Sequence, residues 1–116
     1  MGIKILKQTA TRDDLEKVGP VPVPLSSPAC EISKLPVTIS ERENYSTGLW
    51  ECTPGKFDRQ VKEGEVMHIL SGSCTFTPKG EDTPLEINAG DTLFFPPNTF
   101  GVWDIKETMR KVFVLV

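Results

Sequence analysis

The chain has 116 residues and a formal net charge of −3, with 13 Lys and Arg against 16 Asp and Glu. That length suits one domain with a modest core. The cations are scattered and lack the patch that holds a phosphate backbone, which excludes nucleic acid as an expected partner; no apolar run approaches the ~18 residues of a membrane span.

Met1-Gly2-Ile3-Lys4-Ile5-Leu6 lacks the apolar stretch of a secretory signal, and Leu6 stands where a myristoylation site carries Ser or Thr. Cys30, Cys52 and Cys74 are odd in number and widely spaced, which argues against a disulfide framework. A cytoplasmic location is the expectation. Thr11-Arg12-Asp13-Asp14 reads as a helix start, with Leu15 and Val18 one turn apart and Gly19-Pro20 as the stop, giving a helix of about two turns. Residues 20–28 hold four prolines interleaved with Val21, Val23 and Leu25. They predict an extended, polyproline-like strap lying on the wall of whatever follows.

From Pro36 the pattern becomes strands and turns. Short β-rich runs fall at 37–40, 47–53, 65–70, 74–78, 85–87, 92–95, 102–105 and 111–116, separated by Gly, Pro, Asn and Asp. Eight short strands without a long helix predict an all-β sandwich or barrel. The expected division is residues 1–35, helix and strap, against 36–116, the barrel.

Glu65 followed by six residues and then Gly72 resembles the first motif of the cupins, and Gly90-Asp91-Thr92-Leu93-Phe94-Phe95-Pro96 resembles the second. Gly72 is expected to make a tight hairpin turn, Gly90-Asp91 to turn into a buried strand, and Pro96 to end it. The stretch Gly48–Phe57, with Gly101-Val102-Trp103 and Glu107–Lys111, is similar to the small cupins related to ureidoglycine aminohydrolase, within the RmlC-like superfamily. The resemblance runs from about Tyr45 to Val116. It implies a double-stranded β-helix, or jelly-roll barrel, and an activity on a small polar or ureide-type metabolite.

The same resemblance implies a metal held by histidines and a Glu, and in the ureidoglycine aminohydrolases by a Glu, two His and a Gln on manganese. This chain has one histidine. Counting back from Glu65 puts the paired His slots on Arg59 and Val61, or on Asp58 and Gln60; counting forward from Pro96 puts the third on Gly101. His68 is no substitute, since strand alternation that turns Glu65, Met67 and Ile69 inward turns Val66, His68 and Leu70 outward. The expectation is therefore no resident cofactor, with a weak divalent-cation site at Asp58, Gln60 and Glu65 left open.

Glu65 is the candidate catalytic residue, as an acid/base or a substrate anchor; the alternative is a buried carboxylate satisfied by Arg59 or a backbone amide. Trp50 and Trp103, with Met67 and Phe95, either line a small-molecule pocket or fill the core. Gly101 leaves room beneath Trp103, for a ligand or for the ring itself. Arg59 and Lys111 are candidate anchors for an anionic group or surface charges; alternation with Phe113 and Leu115 favours a surface charge on a half-buried stem for Lys111. Neither Cys52 nor Cys74 has a neighbouring His to activate a thiolate. Three functional readings stand: a metal-independent or weakly metal-dependent enzyme of C–N hydrolysis or lyase type, a non-enzymatic metabolite-binding module, and an oligomerisation domain. The apolar outward face of Val66, His68 and Leu70 adds a homodimer as the expected assembly.

Overall fold

A computed structural model describes residues 2–116; Met1, read above with the N-terminal segment, lies outside the described residues. Eight strands form one antiparallel sheet that folds back on itself: β1 Glu16–Pro20, β2 Glu31–Val37, β3 Thr47–Cys52, β4 Gly55–Val61, β5 Glu65–Pro78, β6 Leu85–Asn88, β7 Thr92–Phe95 and β8 Thr99–Leu115. The two long strands make the closure. The N-terminal half of β5 pairs with β7 and with the C-terminal half of β8, which continues to β3, β2 and β1. The C-terminal half of β5 pairs with β6 and with the N-terminal half of β8, which pairs with β4. Two facing layers thus share β5 and β8, the arrangement of a jelly roll.

The core lies between these layers. Trp50 and Cys52 of β3, Phe57 of β4, Met67, Ile69, Cys74 and Phe76 of β5, and Trp103, Ile105 and Met109 of β8 all point inward. Inward positions on β5 are odd up to Ile69 and even from Cys74. The register shifts between Ile69 and Cys74 supply the odd residue that reverses the alternation.

Four expectations change. Gly72 does not turn a hairpin: β5 runs through it, with φ of +88° in the shifted region. A hairpin and a bulge both call for a residue at positive φ, so the glycine alone does not choose between them. Runs 65–70 and 74–78 are accordingly one strand, as are 102–105 and 111–116, and β4 is a strand absent from the expected set. Run 37–40 marks only the end of β2, which begins at Glu31 and crosses the expected division at residue 36.

The fourth change concerns the N-terminus. No helix forms at 11–18. Thr11 N–H donates to the Gln8 carbonyl in a turn, Arg12 pairs with Asp14, and Glu16–Pro20 becomes an edge strand on β2. A two-turn helix scarcely repays its nucleation, whereas the strand gains a ready ladder. The segment ahead of it crosses the outside of the barrel, where Arg110 of β8 binds Glu51 of β3 and donates from Nη1 to the Thr9 carbonyl. The proline strap does lie on the wall. Leu25 N–H donates to the Lys56 carbonyl and Asp58 N–H to that of Val23, capping the edge of β4. Only Val21 of its alternating apolar residues enters the core; Val23 and Leu25 stay exposed. Among the described residues no helix is long and apolar enough to cross a membrane.

A side chain at Gly72 meets both its positive φ and the backbone of Thr108 and Met109. Gly72→Ala is expected to lose about 2–4 kcal/mol of stability through strain and overpacking together. Urea denaturation checks this, with a lowered midpoint at unchanged slope.

Candidate functional site

Strand register assembles a polar group inside one end of the barrel. Glu65 opens β5 facing inward, and Lys111 of β8 faces inward opposite Trp50 of β3. The Lys111 ammonium donates to Glu65 Oε2 at 2.8 Å, with the two side chains only 6% and 2% exposed. Its Nζ is 3.7 Å from Met67 Sδ, 4.6 Å from the Trp50 ring centre and 5.8 Å from that of Trp103. The partner of Glu65 is therefore Lys111 and not Arg59, and Lys111 is a buried cation rather than a surface charge. Burial holds its amine below the usual lysine range; Glu65 opposes that shift and the nearby Arg59 adds to it.

One atom of the pair lacks a partner. Glu65 Oε1 is fully buried and accepts no hydrogen bond. Glu65 lines a crevice of about 70 Å³ together with Lys34, Ser46, Trp50, Arg59, Lys111, Phe113 and Leu115. Arg59 and Lys34 stand there half-buried and, among the described residues, enter no ion pair. The crevice thus combines one orphaned acceptor with two free cations.

The remaining expected residues divide. Trp50 and Arg59 line the crevice with Glu65 and Lys111, and Met67 lies against the lysine amine. Phe95 and Trp103 do not line the crevice. They form a plug with Phe76, and the Trp103 ring also faces the Lys111 amine. Ring centres are 4.9 Å apart for Phe76–Trp103, 5.0 Å for Phe76–Phe95 and 5.9 Å for Phe95–Trp103. The two tryptophans therefore do not form one ligand wall. The space at Gly101 is taken as well, because a Cβ there would run into the Phe76 ring and the Thr77 carbonyl. Lys34, Ser46, Phe113 and Leu115 were not among the expected residues. Alternation of Ile32 and Lys34 on β2 carries a signal for Lys34 once β2 is known to pair with β3.

The donor set does not fit the metal that the cupin resemblance implies. Asp58 and Gln60 are exposed on the face of β4 opposite Phe57, Arg59 and Val61, so they cannot join Glu65 in a cation site. Among the described residues no three His, Cys, Asp or Glu side chains come together to hold a metal ion. Where a ligand sphere would form around Glu65, an ammonium is already bound. His68 lies on the outer face, its Nδ1 2.7 Å from Thr92 Oγ1. The three cysteines are buried and free, and burial raises their thiols, that of Cys74 to about 11.

A family model for an EutQ-like cupin domain matches residues 39–113. No curated protein matches the chain. Among solved structures, a Pseudomonas syringae protein of unknown function in the DUF861 family superposes with a TM-score of 0.76 at 21% identity, covering 88% of this chain and 44% of its own. This chain thus spans less than half of that protein. The EutQ protein of Clostridium difficile gives 0.65 at 17% identity over 82% of this chain and 79% of its own. A putative ethanolamine utilization protein Q from Salmonella typhimurium gives 0.60 at 20% identity, over 75% and 68%. At these identities the likeness is one of fold.

Lys111→Met leaves a buried carboxylate without a counter-charge and is expected to cost about 3–5 kcal/mol. Adding Glu65→Leu removes the orphaned charge and should recover most of that loss, a coupling read by a denaturation double-mutant cycle. The raised, buried thiols should resist iodoacetamide in the native state at neutral pH, and all three should alkylate in urea, as counted by intact mass.

Proposed function

This chain belongs to the EutQ-like cupin domain family, and we propose that its barrel binds a small polar metabolite at the Glu65–Lys111 crevice. The observation that carries this is Glu65 Oε1, a buried acceptor left without a partner beside two half-buried cations. Such an atom costs about 1–3 kcal/mol unless something donates to it. A ligand with an N–H or O–H group meets Oε1, and a carboxylate on the same molecule meets Arg59 and Lys34. Ureido and amino acids have both groups, in keeping with the residue-level similarity to the ureidoglycine aminohydrolase-type cupins. Ethanolamine, named in the description of the Salmonella relative, is a cation and complements this mouth poorly.

On such a ligand Glu65 is placed for proton transfer in hydrolysis or elimination at a C–N bond, with no histidine-held metal. Lys111 would hold Glu65 in position through Oε2 while Oε1 faces the ligand. The aromatic plug favours a second reading, that of a degenerate cupin serving as a binding or oligomerisation module. Phe76, Phe95 and Trp103 fill space that an open barrel would give to substrate.

The outer face supports a homodimer. Phe94, Val66 and Val114 lie side by side across β7, β5 and β8, with His68 and Val112 in the next row. Phe94 is 74% exposed there. Three reduced cysteines suit a cytoplasmic setting.

Titration with small ureido acids such as N-carbamoylglycine, followed by tryptophan fluorescence, tests the binding reading through Trp50. Arg59→Ala is expected to weaken binding about ten-fold, the equivalent of ~1.4 kcal/mol. Glu65→Gln is expected to abolish turnover of any ligand found to react. Unchanged binding in Arg59→Ala sinks the crevice as the site; unchanged turnover in Glu65→Gln leaves that residue as scaffolding.

A further inference from the structure

Lys111 is set deeper than anion binding requires. A lysine that meets a carboxylate ordinarily presents its ammonium at the rim, where water supports the charge. Here the rim cations are Arg59 and Lys34, and the Lys111 amine lies below them among Trp50, Met67, Trp103 and Phe113. Its one strong acceptor is Glu65 Oε2 at 2.8 Å.

That geometry allows the pair to rearrange without changing its net charge. The proton between Nζ and Oε2 can move to the carboxylate, leaving a neutral primary amine beside a carboxylic acid at the floor of the crevice. Desolvation and the adjacent Arg59 both favour the neutral amine. A desolvated lysine amine is a nucleophile toward carbonyl carbon.

Resting on the reading of the crevice as a ligand site, we propose that Lys111 captures a small oxo acid, an aldehyde or ketone bearing a carboxylate, as a Schiff base, with Glu65 as the proton carrier. The Nζ lone pair attacks the carbonyl carbon, forming the C–N bond as the C=O π pair moves to oxygen. A proton passes from nitrogen through Glu65 to that oxygen, giving a neutral carbinolamine. Its hydroxyl donates to Oε1, the acceptor otherwise unpartnered. Nitrogen then expels the hydroxyl, which leaves as water with the proton from the Glu65 carboxyl. The products are a protonated imine and the Glu65 carboxylate, so an ion pair replaces an ion pair, and no oxidant or reductant takes part.

Arg59 and Lys34 supply the carboxylate anchor, and the crevice sets the size. A volume of about 70 Å³ favours small oxo acids over larger ones.

The test uses the intact chain with glyoxylate and cyanoborohydride, which reduces an imine and traps it covalently. One adduct per chain is expected, mapped by peptide mass to Lys111 ahead of exposed lysines such as Lys56 and Lys106. Glu65→Gln keeps the amine and removes the proton carrier, so labelling of Lys111 should slow by about 10²-fold. Arg59→Ala should raise the half-labelling concentration for glyoxylate and not for propionaldehyde, which has no carboxylate. Adducts on exposed lysines with Lys111 unmodified overturn the proposal. If glyoxylate without reductant still shifts tryptophan fluorescence in that case, the ligand site stands and only the covalent step falls. No shift and no adduct remove both.

Discussion

Burying Glu65 and Lys111 together imposes a constraint on the barrel that apolar contacts do not. Each charge alone would be costly inside the wall, and the pair persists only if β5 and β8 hold their ends in a fixed register. That register is the one that pairs Met67 with Phe113 and Ile69 with Lys111. A slip of one residue on either strand would turn one charge to solvent and bury the other alone. A buried pair in this position disfavours other registers of the two strands that both layers share.

The rest of the interior divides around this pair. On one side the Phe76–Phe95–Trp103 plug fills the barrel, helped by Gly101, which leaves space for the Phe76 ring. On the other, Trp50 and Phe113 flank a crevice too small for a large substrate and too polar to be a packing defect. A barrel that had merely lost its metal could have closed over with apolar side chains. This one keeps a carboxylate oxygen without a partner and lines its approach with Arg59 and Lys34, an arrangement a ligand would complete.

Legibility in the sequence follows how local each signal is. Turn residues at Gly90-Asp91 and Pro96 marked the bounds of β7, because the Asn88–Asp91 turn is closed by its own side chain: Asp91 Oδ2 accepts from Asn88 N–H. The strand itself is half-exposed and not the buried one expected. Alternation from Glu65 to Ile69 also holds, since that half of β5 is regular. β4 was missed although it alternates, with Phe57 and Val61 inward and Lys56, Asp58 and Gln60 outward. Its polar composition masked the period. The same oversight assembled Asp58 and Gln60 with Glu65 in a cation site that strand parity forbids.

Long-range pairing was not legible. Lys111 looked like a surface charge because nothing near it in the chain shows that the far half of β8 lies beside the start of β5. Glu65 and Lys111 are 46 positions apart, and only the register of the folded sheet brings them to 2.8 Å. The N-terminal helix failed for the converse reason. Its local signals were genuine but weak, and the open edge of β2 offered Glu16–Pro20 a ladder that two helical turns could not match. In both cases the decisive partner lay across the sheet. The chemistry of this barrel depends on what the two long strands bring together, and so does its fold.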